Sequence, residues 1–504
     1  MKKSKVFYST YRDSVLLMKM SGSLRAIQGV QSAEVMMATE SNKSILEGLG
    51  LLTDEIKAAV NTDLAVSVIS ESEEVIAQVF SKAEDLILFG EKEEGYKTAY
   101  EARVEHPRAD IAIISIAGEY AADEAERALN DGLNVMLFSD NVKIEDELRL
   151  KQLAEEKGLL VMGPDCGTAM INGAALAFCN QVRRGSVGIV GASGTGTQEA
   201  MVLLDKNGLG ISHAIGTGSN DIKASIGGIT MLRGIEMLKN NPQTELILII
   251  AKPTDAGVEK KIFDALDACG KPSVVCLLGG ETTGKVGSVT YATTIEEAVL
   301  RVVEILAARK KDYAISPQTE AQIREKKALL RPEQKHVRAL YTGGTLAGEA
   351  CVILGRDLPL ESNIKIKTAS LMEDPRFSHG NAVIDLGDDV FTKGKPHPMI
   401  EPVLRAERIL NEIEDPTVAV IVMDFVIGYG VHEDPVGCTI PYIKEAQKIA
   451  RERGREILFV GYVLGTDKDY QGLAEQNAKL ADCGVLTAET NAQAVRIAKE
   501  IMGG

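Results

Sequence analysis

Two stretches of this chain set glycine, hydroxyl and carboxylate side chains in the same order. In "GASGTGTQEAMVLL", residues 191–204, Gly194-Thr195 precede Glu199-Ala200; in "TGGTLAGEACVIL", residues 342–354, Gly344-Thr345 precede Glu349-Ala350 at the same spacing, 150 residues on. Turns of this kind hold anions. Glycines let the backbone approach a ligand, and a helix opening there aims unpaired N–H groups and its positive dipole end outward. The candidate phosphate-binding residues are Ser193, Gly194, Thr195, Gly196 and Thr197 in the first copy and Gly343, Gly344 and Thr345 in the second. Glu199 falls in the first helical turn and is a candidate for moving a proton at the mouth. An ordinary strand–helix turn with an N-cap is the competing reading. The spacing of Gly191, Gly194 and Gly196 approaches a dinucleotide fingerprint, but the acidic ribose partner after the next strand is missing.

Three further stretches carry groups that could share the same crevice. "HAIGTGSND", 213–221, brings Gly216 and Gly218 to the end of a strand. "VMDFVIGYGVHEDP", 422–435, ends a hydrophobic strand in Gly428, Tyr429 and Gly430, a second glycine-lined helix entrance. "IDLGDDVFTKGKPHPMIEP", 384–402, places Asp385, Asp388 and Asp389 before Lys393, Lys395 and His397, a mixture suited to binding an anion or moving a proton. Asp388 and His397 are the catalytic candidates there; a solvated loop is the alternative. "GGETTGKV", 279–286, satisfies GxxxxGK, yet Val286 stands where magnesium coordination needs Ser or Thr. The six histidines show no HxH or HxxxH pairing and the seven cysteines no CxxC pair, so no metal site is expected.

Elements that position these turns follow from periodicity. Residues 5–90 alternate short apolar runs with helical patterns, giving a small α/β unit of three or four strands, and "EKEEGYKTAYEARVEHPRAD" then reads as a connector or solvated helix. From 110 the order is strand–helix–strand, with helices expected at 196–207, 228–239, 256–269 and 295–309. Parallel sheets with right-handed crossovers follow. The boundaries expected are 1–95, 96–184, 185–312, a charged linker at 313–335, and 336–504. A net charge of −16 excludes a phosphate-backbone partner and disfavours an anionic membrane surface. No apolar run reaches membrane-spanning length, and scattered unpaired cysteines suit a reducing, cytoplasmic setting.

The order of units resembles succinyl-CoA synthetase with ligase domains of both subunits fused in one chain. "GLLVMGPDCGTAMI" resembles the α-subunit's CoA-domain turn at Gly163-Pro164-Asp165-Cys166, "GASGTGTQEA" its phosphate turn, and "TGGTLAGEA…NAVIDLGDD…VIVMDFVIGYG" the β-subunit's carboxy-terminal domain. Through "GEYAADEAERALNDGLNVMLFSDNV", "LYTGGTLAGEA" and "GKPHPMIEP" the chain is identified as a member of the FdrA family. The resemblance implies a multi-domain α/β fold: a small N-terminal domain, a Rossmann-like CoA-binding-type domain at 96–184, and two flavodoxin-like ligase domains. It also implies two helices aimed at one phosphoryl group, starting at Gly194-Thr195 and near Gly428-Tyr429-Gly430. Where the synthetases carry a phosphorylated histidine, this chain reads "GKVGSVTYAT", 284–293, with Ser288 nearest that place. The glycine loop that opens the family's CoA domain and an ATP-grasp domain are also missing. The family implies a carbamoyltransferase subunit converting oxalurate and phosphate to oxamate and carbamoyl phosphate, with other subunits as partners. No cofactor is assigned; phosphate or a CoA ester is the expected small anionic ligand, and homo-oligomerisation stays open. A nucleoside-diphosphate-forming acyl-CoA ligase and a non-catalytic binder of acyl phosphates are the alternatives.

Overall fold

Short β-branched runs alternate with helical segments closed by glycine or a polar cap. A computed structural model describes residues 1–10, 12, 14–89, 96, 98–393 and 395–503. It divides into two units, 1–102 and 103–504.

The first unit contains β1 (Lys2–Phe7), α1 (Ser14–Arg25), β2 (Val30–Met37), α2 (Glu40–Gly48), α3 (Asp54–Ala58), β3 (Leu64–Ser70) and α4 (Glu73–Phe89). Its antiparallel sheet has the order β1-β3-β2. The central strand β3 is covered on both faces, because alternate residues point to opposite sides. Leu64, Val66 and Val68 meet Leu17, Leu24 and Val79, while Ala65 meets Val6, Leu46 and Ile56. The charged stretch after it contains α5 (Ala99–Glu105), none of whose residues is buried; residues 90–95 and 97 of that region lie outside the described residues.

The second unit opens with β4 (Ile111–Ile114), α6 (Gly118–Asn130), β5 (Asn134–Leu137), α7 (Ile144–Lys157) and β6 (Val161–Met162), a parallel sheet in the order β4-β5-β6. β7 (Thr168–Ile171) and β8 (Ala174–Ala177) then form a hairpin that pairs with the next sheet, so residues 163–184 serve that sheet rather than closing a 96–184 unit.

That sheet comprises β9 (Arg184–Gly191), α8 (Gly194–Lys206), β10 (Ile211–Gly216), α9 (Ile229–Asn240), β11 (Leu246–Ala251), α10 (Ala256–Asp267), β12 (Ser273–Leu277), β13 (Gly284–Val286), β14 (Val289–Ala292) and α11 (Ile295–Ala307). Its parallel strands run β10-β9-β11-β12-β14, the flavodoxin-like order 2-1-3-4-5. The expected linker carries α12 (Pro317–Lys327), capped by Ser316 and anchored by buried Ile323.

The last part repeats the pattern with β15 (His336–Tyr341), α13 (Gly344–Leu354), β16 (Leu360–Ser362), β17 (Ser370–Leu371), β18 (Asn381–Asp385), α14 (Asp389–Thr392), α15 (Val403–Glu412), β19 (Val418–Val426), α16 (Pro435–Glu452), β20 (Leu458–Leu464), α17 (Leu473–Asp482), β21 (Leu486–Ala488) and α18 (Asn491–Met502). Strands β18-β15-β19-β20-β21 reproduce the order 2-1-3-4-5. Helices α8, α11, α13 and α18 pack together between the two sheets. Met201, Leu204, Val299, Val303, Leu346, Ala350, Val495 and Ala498 merge there into one core. Among the described residues no helix is long and apolar enough to cross a membrane.

Candidate functional site

In each copy the first strand feeds a helix that begins at the repeated Gly-Thr, and the two helices meet N-terminus to N-terminus. The Ser193 hydroxyl caps α8 by accepting from the Gly196 amide at 3.0 Å, and it shares a 2.5 Å hydrogen bond with the Thr345 hydroxyl of α13. The two turns interlock. A Cβ on Gly343 would stand 2.4 Å from the Thr195 methyl, and one on Gly196 would stand 2.7 Å from the Thr345 methyl. Thr197 turns its hydroxyl back onto the Ser193 carbonyl at 2.6 Å. Gly194 and Gly344 remain half-exposed at the mouth. Among the described residues, the amides of Gly194, Thr195, Gly344 and Thr345 have no hydrogen-bond partner. Four N–H groups and two dipole ends thus converge, an arrangement suited to a small dianion.

Asp385, the last residue of β18, stands beside this mouth. One carboxylate oxygen, Oδ1, accepts from the Gly387 amide at 2.9 Å. The other lies 2.7 Å from the point that a Cβ on Gly344 would occupy. Burial pushes Asp385 up to about 7, with Asp388 and Asp424 adding to the rise and the Gly387 amide and Lys252 opposing it. Lys252 follows β11 in the other copy, and its exposed amine makes no hydrogen bond or ion pair among the described residues.

His397 closes the far side. Its Nδ1 accepts from the Met399 amide at 3.3 Å, so a neutral ring carries its proton on Nε2. Nε2 lies 2.7 Å, and Asp385 Oδ1 3.1 Å, from the position of a Cβ on Gly387, which is why only glycine fits there. Burial moves His397 down to about 4, against the opposing charge of Asp140, and its ring tilts against Phe178 with centroids 5.8 Å apart. His397 is therefore a neutral hydrogen-bond donor at neutral pH rather than a base.

Other expected site residues are placed elsewhere. Glu199 is buried one turn below the mouth, accepting from the Tyr462 hydroxyl at 2.5 Å and the Asn491 amide at 3.3 Å. Its repeat partner Glu349 accepts from Ile295 N at 2.7 Å, Glu296 N at 3.3 Å and Asn491 Nδ2 at 2.9 Å. Each glutamate therefore caps a helix of the opposite copy: Glu199 caps α18 and Glu349 caps α11. The shared motif marks this reciprocal clasp as well as the first turns. Burial, then the Glu349 charge, raises the Glu199 pKa; burial raises Glu349 to about 6. Asp388 caps α14 through Val390 N at 3.0 Å.

Gly216 and Gly218 are spent on close packing, since Cβ atoms there would strike Cys166 Sγ at 2.4 Å and the Pro164 carbonyl at 2.1 Å. The helix after β19 begins at Pro435, not near Gly428, and its own Asp434 caps it through Gly437 N at 2.9 Å. Gly428 N donates to Gln471 at 3.0 Å and Tyr429 N to the Cys179 carbonyl at 2.8 Å, while a Cβ on Gly430 would press on the Phe178 ring at 3.1 Å. The second helix of the cradle is thus α13. Ser288 is held by Asp267 at 2.9 Å, at the start of β14 and hence the opposite end of the sheet from the mouth.

Comparison with known proteins fits this architecture. A CoA-ligase family model matches residues 340–501 and a CoA-binding domain model residues 182–279, the latter falling on the β9–β12 sheet. Over 98% of the chain and 97% of the relative, it is 46% identical to the uncharacterized protein YahF of Escherichia coli. The chain belongs to the FdrA, succinyl-CoA-synthetase-like family. The α-subunit of succinate–CoA ligase from Aquifex aeolicus is 32% identical over 31% of this chain and 52% of its own length. That of malate–CoA ligase from Methylorubrum extorquens is 27% identical over 39% and 70%. A model described as AllF, heavy metal-associated domain, matches residues 1–103. That span has no cysteine and no histidine, so it offers neither thiolate nor imidazole to a metal.

Proposed function

We propose that the chain is a subunit of a transferase that moves a carbamoyl group to phosphate, taking oxalurate and phosphate to oxamate and carbamoyl phosphate. The observation that carries this reading is the facing pair of helix N-termini at Gly194 and Gly344 with their unpartnered amides. Such a cradle holds phosphate in place as a nucleophile, and Lys252 adds a cation beside it. A phosphate oxygen attacks the carbamoyl carbon, and the neutral His397 Nε2–H donates to the carbonyl oxygen as it gains charge. The C–N bond breaks towards nitrogen, which takes the proton held by Asp385. Asp385 recovers a proton from the phosphate hydroxyl, so atoms and charge balance. A phosphohistidine relay has no residue to carry it in 284–293, where the histidine position is filled by the Ser288 turn. An acyl-CoA ligase reading draws on the CoA-ligase and CoA-binding matches, and a binder of acyl phosphates or CoA esters without catalysis is the third. Unpaired cysteines throughout fit a cytoplasmic setting.

The test is carbamoyl phosphate formation from oxalurate and phosphate by the chain with its partner subunits, wild type beside Gly194→Val. A Cβ at Gly194 meets nothing closer than Thr168 Oγ1 at 3.6 Å, so the fold has room for a side chain there, set beside the open Gly194 and Thr195 amides. Activity lost in the folded variant supports the transferase; equal activity in both removes the cradle from the reaction. Incorporation of phosphate into a histidine would favour the ligase.

A further inference from the structure

We infer that the mouth between α8 and α13 binds its anion together with one proton, carried by the free oxygen of Asp385 as a hydrogen bond to the ligand. This rests on the phosphate-cradle reading and adds the charge state and class of ligand: a tetrahedral dianion, taken up with a proton.

The geometry makes the carboxyl and the ligand neighbours. Oδ1 is engaged by the Gly387 amide, whereas Oδ2 stands over Gly344 at the start of α13 with no hydrogen-bond partner among the described residues. A carboxylate and a dianion at one helix end repel, and a proton shared between them turns that repulsion into a hydrogen bond. The surrounding charges leave this to Asp385. Asp424, on β19, is already neutralised by Arg405 at 3.3 Å and accepts from Thr342 N and Oγ1 at 2.9 and 2.7 Å. Asp388 faces its own helix, and His397 presents an Nε2–H that is already a donor. Lys252 is the nearby cation and attracts either partner. Burial has already raised Asp385 to about 7, so a neighbouring dianion completes its protonation at neutral pH.

Sulfate separates this from the ionisation of phosphate itself, which also titrates near neutrality. Calorimetry of sulfate binding to the full chain at pH 7.5, in two buffers of different ionisation enthalpy, counts the protons drawn in. With Asp385 near 7 before binding, about three quarters of a proton should be taken up per sulfate, and affinity should fall towards tenfold per pH unit above 7. Asp385→Asn keeps the acceptor for Gly387 and should bind sulfate with no uptake and a flat pH profile; His397→Gln should retain the uptake. Sulfate binding without proton uptake in the wild type, or the same uptake in Asp385→Asn, overturns the inference and leaves the cradle standing. If the folded wild type binds neither sulfate nor phosphate, the cradle reading falls and takes this inference with it.

Discussion

Removing Glu349 should loosen both copies at once, and the structure sets the size. Its carboxylate accepts from Ile295 N at 2.7 Å and Asn491 Nδ2 at 2.9 Å, with a longer contact to Glu296 N at 3.3 Å. The two amides belong to the first turn of α11, where Thr294 reaches only Glu297 N and leaves them without a local acceptor. A buried donor stripped of its acceptor costs about 1–3 kcal/mol. With two short contacts and one long, Glu349→Ala should lose about 4 kcal/mol. Asn491 also gives its backbone N–H to Glu199, so the two glutamates share a residue and must be coupled. A cycle of Glu199→Ala, Glu349→Ala and the double variant should therefore show an interaction energy of about 1 kcal/mol. Hydrogen exchange of the peptides that begin α11 and α18 reads this locally, at pH 7.5, independently of the 1–102 unit. If Glu349→Ala costs under about 1 kcal/mol, or the two losses add to within about 0.3 kcal/mol, the reciprocal clasp does not operate.

Gly343→Ala should be worse for folding than Gly194→Val despite the smaller side chain. Its Cβ would press to 2.4 Å on the Thr195 methyl, an overpacking that costs about 1–3 kcal/mol, readable as a lower denaturation midpoint. Glu199→Gln tests the buried acid through pH. Because burial and the Glu349 charge raise the Glu199 pKa, the folded state favours the neutral acid. The stability this supplies is complete below the unfolded carboxyl value of about 4.3 and is lost as pH rises through the raised folded value. The glutamine variant, which cannot ionise, should gain on the wild type between pH 5 and 9; a stability difference that stays constant across that range would contradict it.

Much of the architecture was legible locally. Helices expected at 228–239 and 256–269 are found at Ile229–Asn240 and Ala256–Asp267, because capping residues and a 3.6-residue apolar period act within a few residues of the chain. The repeated Gly-Thr likewise announced two equivalent helix starts. The site was less legible. Asp385 and Asp388 stand three residues apart in one polar run, and nothing local says that the first lies half-buried over Gly344 while the second caps α14. Lys252 is one lysine among many after a strand. Gly216 and Gly428, which look like ligand-facing glycines, are consumed by packing on Cys166 and on the Cys179 carbonyl.

The sequence by itself determined two copies of a strand–helix–strand unit and the turns that start their helices, since propensity, capping and periodicity are short-range. Only the tertiary structure decided which N-termini face each other, which carboxylates clasp the opposite copy, and which one waits at the mouth. Those outcomes depend on burial and on neighbours such as Glu199 and Asn491, 292 residues apart, whose meeting is set by how the two sheets pack.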